Sequence, residues 1–237
     1  LDSAIARAAR TFESWSRVPA TERATVLERA AHALEERRVD LVSLIVREGK
    51  RTCADAVSEV REAADFCRYY ALQARKKFHP SLLPGPAGER NEFALHGRGV
   101  FACISPWNFP LAIFTGQVAA ALAAGDTVIA KPAEQTPRIA LLAISLLHAA
   151  GIPTDAAICV IGDGETLGAP LVTDPRIAGV AFTGSVDTAK RINAALAARE
   201  GPIVPLIAET GGVNAMLVDA SALPEQVVDD VVVSAFQ

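Results

Sequence analysis

Four short segments of the chain combine polar side chains with glycine or proline in ways that suit chemistry. They are Ser105 to Pro110 (SPWNFP), Lys131 to Glu134 (KPAE), Phe182 to Ser185 (FTGS) and Glu209 to Gly212 (ETGG). Each directly follows a short apolar run of the kind that forms buried parallel strands, and ligands bind at the carboxyl ends of such strands. These segments are therefore the candidate functional residues.

The first two segments offer a fixed amide and a pair of charges. Prolines at 106 and 110 restrict the backbone around Asn108, whose amide could then donate to a developing oxyanion. The alternative is an Asx-type turn in which the amide caps its own backbone, and spacing alone favours that turn. Lys131 and Glu134 suit the hydroxyl groups of a ribose, and the alternative is a solvated ion pair at the start of a helix.

The third and fourth segments offer a glycine turn and a carboxylate. Gly184 would let the backbone approach a phosphate at a helix N-terminus, where unpaired N–H groups and the helix dipole favour an anion. The GxGxxG fingerprint is absent, and a tight turn capped by Ser185 is an equal alternative. Glu209 beside two glycines could serve as a general base, although a lone glutamate at a strand end is more often simply exposed.

The elements that must position these segments begin with a helical region. The apolar spacing predicts helices around Ile5 to Phe12, from the cap candidate Thr21 to Gly49 and from about Cys53 to Ala74, then a loop at 80–88 and a weak exposed strand at 91–96. No repeat or low-complexity tract interrupts the pattern.

From Gly99 onward short apolar runs alternate with helices. Strands are predicted at 100–104, 127–130, 157–161, 179–182 and 203–208, and helices at 111–124, 137–150 and 185–198. Continuous apolar strands separated by helices imply a parallel sheet covered on both faces. The fold class is thus α/β, a doubly wound Rossmann-like sheet with N-terminal helices.

Composition and charge argue against several classes of function. The net charge of −4 provides no basic footprint for nucleic acid. The most apolar stretch, 111–124, is too short to span a bilayer, and the N-terminus lacks the layout of a secretory signal, so cytoplasm is the default location. The four cysteines and four histidines have no zinc-site spacing, so no metal is predicted, and all four thiols are expected to be buried.

Taken together and in this order, PWNFP, KPAE, FTGS and ETGG resemble the aldehyde dehydrogenase superfamily, and the resemblance covers essentially the whole chain. It implies that Asn108 is the oxyanion-hole amide and that Glu209 activates the hydrolytic water. It also implies NAD as cofactor, with these contacts: Ile104, Ser105, Pro106, Trp107, Lys131, Pro132, Ala133, Glu134, Gly164, Gly168, Phe182, Thr183, Gly184, Ser185, Glu209, Thr210 and Gly211. The carboxylate of Glu134 favours NAD over NADP because it would repel a 2′-phosphate.

A closer likeness is to the glutamate-semialdehyde (pyrroline-5-carboxylate) dehydrogenase module of bifunctional proline utilisation A proteins. It is carried by residues 62–70, 85–99, 104–117 and 224–237. It implies oxidation of glutamate γ-semialdehyde to glutamate. It also implies a homo-oligomer such as a dimer, with residues 89–96 in the oligomerisation flap, and a possible proline dehydrogenase domain in the same parent chain. The alternatives are another semialdehyde dehydrogenase or a non-catalytic dimerisation module of the same fold.

The family's nucleophilic cysteine is expected just after Gln237, so the chain alone is expected to be inactive. Ala189 and Val213 also depart from the common family pattern, in ways compatible with the proline-utilisation branch. The expected organisation is a helical part of the cofactor domain at 1–80, a loop and flap strand at 81–98, the NAD-binding domain at 99–210 and the start of a truncated catalytic domain at 211–237. The family's N-terminal strand region is expected to be missing.

Overall fold

The computed structural model describes residues 1–213 and 215–236, and its first part consists of four helices. They are α1 (Asp2–Arg17), α2 (Ala20–Glu36), α3 (Arg38–Gly49) and α4 (Cys53–Lys77). Thr52 caps α4, because its side chain accepts a hydrogen bond from the Asp55 N–H at 3.2 Å. The predicted helices are confirmed in position, with one correction to the second.

The predicted single helix from Thr21 to Gly49 is in fact two helices, α2 and α3, and it starts one residue earlier. The backbone leaves helical geometry at Arg37, with φ −93° and ψ 18°. No glycine or proline marks this break, and the apolar spacing runs through it, so periodicity could not locate it. The left-handed residue that ends α3 is Lys50, at φ 56°, and Gly49 is still helical.

A two-stranded antiparallel hairpin follows, formed by β1 (Ser81–Leu83) and β2 (Asn91–Phe93). The predicted strand at 91–96 is therefore present but shorter, and the region predicted as loop contains its partner. Leu82, Leu83 and Phe93 are all at least half exposed. The strands of an exposed hairpin need not alternate apolar and polar residues as a half-buried strand does. The sequence therefore contained no pattern that predicts β1.

The main sheet has five parallel strands in the order β5-β4-β3-β6-β7, which confirms the predicted doubly wound α/β fold. The strands are β3 (Val100–Ile104), β4 (Thr127–Lys131), β5 (Ala157–Cys159), β6 (Ile177–Gly184) and β7 (Leu206–Thr210). The helices after β3 are α5 (Ala112–Ala124), α6 (Pro137–Ala150), α7 (Ala169–Thr173), α8 (Val186–Ala197) and α9 (Pro224–Phe236), and a π-helical turn at Gly164–Gly168 precedes α7. The turn, α7 and α9 were not predicted.

Successive residues of each strand point to opposite faces of the sheet and enter two different cores. Along β3, Val100 and Ala102 pack in the core shared with α1, α7 and α8, whereas Phe101 and Cys103 pack in the core shared with α2 to α6. Both faces are therefore covered by helices. No helix within 1–213 and 215–236 has the length and apolar character needed to cross a membrane.

The pairing of β3 with β6 depends on one small residue. Gly179 lies opposite Phe101, and a Cβ atom at position 179 would overlap the Phe101 ring. The ring thus occupies the space that a side chain on the neighbouring strand would need, and glycine is the residue that leaves it free.

We expect Gly179→Ala to lower the free energy of unfolding by about 1–3 kcal/mol, because the added methyl group overpacks a buried contact. Chemical denaturation followed by circular dichroism measures this change. Gly212→Ala is the control, since a Cβ there meets nothing within 4 Å. Recovery of stability on adding Phe101→Leu would confirm the cause, and equal stability of Gly179→Ala and wild type would contradict it.

Candidate functional site

The order of strands in the main sheet creates a crevice at the carboxyl ends of β3 and β6. From β3 the chain first runs outward to β4 and β5, and then returns to place β6 on the other side of β3. Loops leaving such neighbouring strands diverge, and ligands of open α/β sheets bind in the gap between them. Ile104 pairs with both Lys131 and Phe182, so three of the four candidate segments meet here.

Gln117 of α5 joins the two strands that border this crevice. Its side-chain nitrogen donates to the Ile104 carbonyl oxygen at 3.2 Å and to the Thr183 hydroxyl at 3.0 Å. Because one amide holds the ends of β3 and β6 together, it fixes the width of the crevice from one side. The sequence analysis missed Gln117, since one polar residue in an apolar helix carries no motif.

A cavity of about 300 Å³ opens at this edge, on the face of the sheet covered by α7 and α8. Five predicted cofactor residues line it: Ile104, Lys131, Gly164, Gly168 and Phe182. Thr188, Arg191 and Ile192 of α8 complete the wall together with Glu165, and none of these four was predicted. A mostly apolar cavity with a few polar groups at its edge is the usual form of a small-molecule site.

Among the charged residues that line this cavity, Lys131 is almost entirely buried, whereas Glu165 and Arg191 are exposed. The Nζ of Lys131 donates to the Pro132 carbonyl oxygen at 3.2 Å and lies 3.9 Å from Oε2 of Glu134. Burial lowers the pKa of the Lys131 ammonium, and the charges of Glu134 and Asp163 oppose that effect. Lys131 and Glu134 therefore do not form a fully solvated ion pair, because the Lys131 side chain is buried and only the Glu134 side chain is half exposed.

Asp163 organises the π-helical turn on the other side of Lys131. Its carboxylate accepts hydrogen bonds from the N–H groups of Glu165 at 2.9 Å and Thr166 at 2.7 Å, and from the Thr166 hydroxyl at 2.8 Å. These bonds lower the pKa of Asp163. Aspartate three residues before threonine is a recognisable N-cap pattern, so the sequence did carry a signal for this turn.

The FTGS segment forms the predicted cap at the start of α8. The Ser185 hydroxyl accepts a hydrogen bond from the Thr188 N–H at 3.2 Å. Gly184 ends β6 beside the Phe182 ring, opposite Thr210 of β7. The alternative of a capped turn is therefore what forms, and α8 begins directly at the carboxyl end of β6.

Asn108 lies in the loop between β3 and α5, and its side chain is exposed, as is that of Trp107. Within the part of the chain that the structure describes, the Asn108 amide makes no hydrogen bond, so the Asx-type turn does not form. Ser105 is held at the end of the strand by a hydrogen bond from its N–H to the Lys131 carbonyl oxygen at 3.1 Å. The amide of Asn108 is therefore free to serve a ligand.

A second cavity, of about 590 Å³, lies on the opposite face of the sheet, where α4 and α5 cover β6 and β7. Glu209 and Thr183 line it together with Gln117 and Phe66. Glu209 pairs with Thr183 across the strands and is exposed. The general-base candidate thus lies on the side of the sheet away from Lys131, the same side as Gln117.

The remaining predicted site residues line neither cavity but lie along the same edge. Pro132 is buried, Pro106 and Ala133 are partly buried, and Thr210 and Gly211 are exposed at the end of β7. The four segments are thus brought to one edge of the sheet, and two separate cavities flank that edge.

None of the four cysteines lines either cavity, and three of them are also poor nucleophiles because they are buried or partly buried. Cys67 and Cys103 are buried, Cys159 is partly buried, and Cys53 is exposed at the start of α4, so the expectation of four buried thiols is wrong for Cys53. Burial raises the pKa of Cys67 and of Cys159 to about 12, and raises that of Cys103 as well. A thiol with so high a pKa holds almost no thiolate at neutral pH.

One protein family matches the whole chain. The model of the family described as "Aldehyde dehydrogenase family" matches residues 1–237. Bifunctional protein PutA of Escherichia coli is 48% identical over 239 aligned positions, covering all of this chain but 17% of PutA. A 1-pyrroline-5-carboxylate dehydrogenase of Anoxybacillus flavithermus is 37% identical, covering 99% of this chain and 46% of that protein.

Solved structures give the same result. A proline utilization A structure from Bradyrhizobium japonicum superposes with a TM-score of 0.97 at 62% identity, covering all of this chain and 24% of that one. A 1-pyrroline-5-carboxylate dehydrogenase from Thermus with bound NAD superposes with a TM-score of 0.95 at 35% identity, covering 99% and 46%. The chain spans less than half the length of each of these relatives.

We expect one fast thiol in the native protein. At pH 8 iodoacetamide should modify Cys53 quickly, whereas a thiol whose pKa is near 12 reacts roughly 10³-fold more slowly than an ordinary one. Mass spectrometry after timed quenching identifies the modified residue, and Cys53→Ser should abolish the fast phase. Rapid native modification of Cys103 or Cys159 would show that burial does not protect them.

Proposed function

Because the chain belongs to the aldehyde dehydrogenase family, we propose that its parent protein oxidises an aldehyde to a carboxylic acid with NAD as hydride acceptor. The observation that supports this most is the meeting of four chemically distinct loops at one sheet edge. An amide, a buried lysine, a glycine turn and a carboxylate lie at or just beyond the carboxyl ends of four adjacent strands, β3, β4, β6 and β7.

The cavity beside Lys131 fits the adenosine half of a dinucleotide. Its apolar wall from α8 and the sheet suits a flat base, while the Lys131 ammonium and the Glu134 carboxylate suit the ribose hydroxyls. Next along the edge, the first turn of α8 after Gly184 and Ser185 suits a pyrophosphate. The remaining cofactor contacts that the family resemblance implies are proposed with them, and bound NAD would supply the hydride acceptor.

Asn108 and Glu209 are the proposed catalytic residues of this chain. The Asn108 amide would donate a hydrogen bond to the oxyanion formed when a thiolate attacks the aldehyde carbon, an effect worth about 3–4 kcal/mol in comparable sites. Glu209 would remove a proton from the water that later releases the acid. Since none of the four thiols of this chain lines either cavity, we propose that the nucleophile lies in the part of the parent that this chain does not span.

Glutamate γ-semialdehyde is the proposed substrate, by similarity to PutA and to the 1-pyrroline-5-carboxylate dehydrogenases. The second cavity, with Phe66 and Glu209, is open to a small aldehyde from the side opposite the proposed cofactor site. Similarity to a 2,5-dioxopentanoate dehydrogenase, at 35% identity, keeps another semialdehyde as the second candidate.

The exposed hairpin supports a proposed assembly. Leu82, Leu83 and Phe93 expose apolar side chains on two short strands, and exposed apolar strand residues favour burial against another surface. We propose that the parent is a homodimer in which β2 is part of the contact. A proline dehydrogenase domain in the same parent chain and a cytoplasmic location are proposed with it.

Turnover by the full-length parent tests the function. Purified parent should reduce NAD with glutamate γ-semialdehyde more efficiently than with succinate semialdehyde, followed by NADH absorbance. Asn108→Ala should lower kcat about 10²- to 10³-fold, because one oxyanion donor is lost. Glu209→Gln should give a burst of NADH followed by slow turnover, because only acyl release is impaired.

The 237-residue chain alone is the control and should produce no NADH. The proposal fails if the folded parent reduces no NAD with any aldehyde, or if Asn108→Ala leaves kcat unchanged. A parent that prefers another semialdehyde would retain the reaction class and reject glutamate γ-semialdehyde.

A further inference from the structure

The loop that carries Asn108 leads into a helix that lacks a cap of its own. Leu111 occupies the cap position of α5, and no side chain of the preceding loop accepts from the first N–H groups of the helix. Leu111 and Ala112 are both fully buried. Their N–H groups are beyond the reach of water, and buried backbone donors without partners are costly.

Glu59, on α4, supplies the missing acceptor from elsewhere in the chain. Its Oε1 accepts from the Leu111 N–H at 2.7 Å and from the Ala112 N–H at 3.2 Å. The side chain is 1% exposed. Burial raises the pKa of Glu59, while the two N–H groups and the charge of Arg51 oppose that effect. A carboxylate at the positive end of a helix dipole is also favourably placed.

Two further contacts from the same helical region hold the loop. The Arg51 guanidinium lies 4.3 Å from the centre of the Phe109 ring, and the Pro110 ring packs against Gly49. At its other end the loop is joined to β4 through Ser105. Asn108 therefore lies between two anchored residues of the loop, Ser105 and Pro110. Its neighbour Phe109 is held by the contact between its ring and Arg51.

We infer that Glu59 is a positioning residue for the Asn108 amide: it fixes the amino end of α5 and thereby the place of the loop that precedes it. This inference rests on the role proposed for Asn108. A displacement of about 1 Å in a catalytic group can cost 10²-fold in rate, so the effect of losing Glu59 should appear in kcat.

The chain contains a matched case at the neighbouring loop. Glu48 of α3 accepts from the N–H groups of Arg138 at 3.2 Å and Ile139 at 2.9 Å, at the amino end of α6. That helix follows the Lys131 to Glu134 loop, which is proposed to bind the cofactor. Glu59 and Glu48 thus cap α5 and α6 in the same manner. The loop before α5 is proposed to act in catalysis, and the loop before α6 is proposed to bind the cofactor.

The experiment compares Glu59→Ala, Glu59→Gln, Glu48→Ala and Glu22→Ala in the full-length parent. Glu59→Ala should lower kcat about 10²-fold with little change in the KM for NAD. Glu59→Gln keeps an acceptor oxygen and should recover most of that loss. Glu48→Ala should mainly raise the KM for NAD, and Glu22→Ala, which removes an exposed charge from α2, should have no effect.

Hydrogen exchange by mass spectrometry is the second readout, and it does not depend on activity. Glu59→Ala should speed exchange in residues 105–112 and leave 135–139 unchanged, and Glu48→Ala should do the reverse. If Glu59→Ala does not fold, Glu59→Asp replaces it, because its shorter carboxylate should weaken the cap and give an intermediate loss of kcat.

Unchanged kcat in a folded Glu59→Ala or Glu59→Asp parent would overturn the inference. So would equal effects of the Glu59 and Glu48 variants on kcat and on the KM for NAD, since a general structural role predicts no such separation. An inactive wild-type parent would refute the proposed function instead, and the exchange pattern would then decide whether Glu59 holds the loop.

Discussion

The structure depends on one consequence of parallel strand pairing: all carboxyl ends lie at the same edge of the sheet. Because the strand order reverses at β3 and β6, the loops that leave these two strands diverge and open a crevice. The strands themselves are apolar, so chemistry can enter only where they end. Each of the four segments proposed to have a catalytic or binding role lies at such an end, and the sheet brings them together although they are far apart in the chain.

The helical region is needed because loops and helix ends at this edge expose backbone groups that must find partners. Glu59 and Glu48 accept from the first N–H groups of α5 and α6. At the opposite edge, the Asp126 carboxylate accepts from Gly99 at the start of β3, and Arg23 donates to the Ala123 carbonyl oxygen at the end of α5. Charged side chains, buried in the case of Glu59, Asp126 and Arg23 and partly buried in that of Glu48, thus complete the backbone hydrogen bonding of the sheet domain, and the buried ones lose their own hydration.

Features that depend on a local pattern of residues could be predicted from the sequence. Contacts between residues far apart in the chain could not. Strands such as β3 and β4 were predicted closely, since four or five consecutive apolar residues followed by a polar segment have few interpretations. The break at Arg37 was missed because the apolar spacing continues through it. The four candidate segments could be selected from their unusual composition and their order, and their role as a site remains a proposal.

Gln117 and Glu59 were not predictable in the same way. Each resembles an ordinary polar position on a helix, and what makes each of them important is a partner more than ten residues away: Ile104 and Thr183 for Gln117, Leu111 for Glu59. Only the fold reveals such pairs. The two cavities on opposite faces are likewise properties of the assembled sheet, because their walls come from helices that no local pattern connects.

The edge around Lys131 and Glu134 is proposed to bind NAD, and calorimetric titration of the chain with NAD measures that binding. We expect saturable binding by a chain shown to be folded by circular dichroism, weakened about tenfold or more in Glu134→Ala through the lost ribose contact. Glu22→Ala, which removes an exposed carboxylate from α2, should bind as wild type does. Absence of binding by the folded chain, or equal affinity in Glu134→Ala and wild type, would show that this edge is not the NAD site.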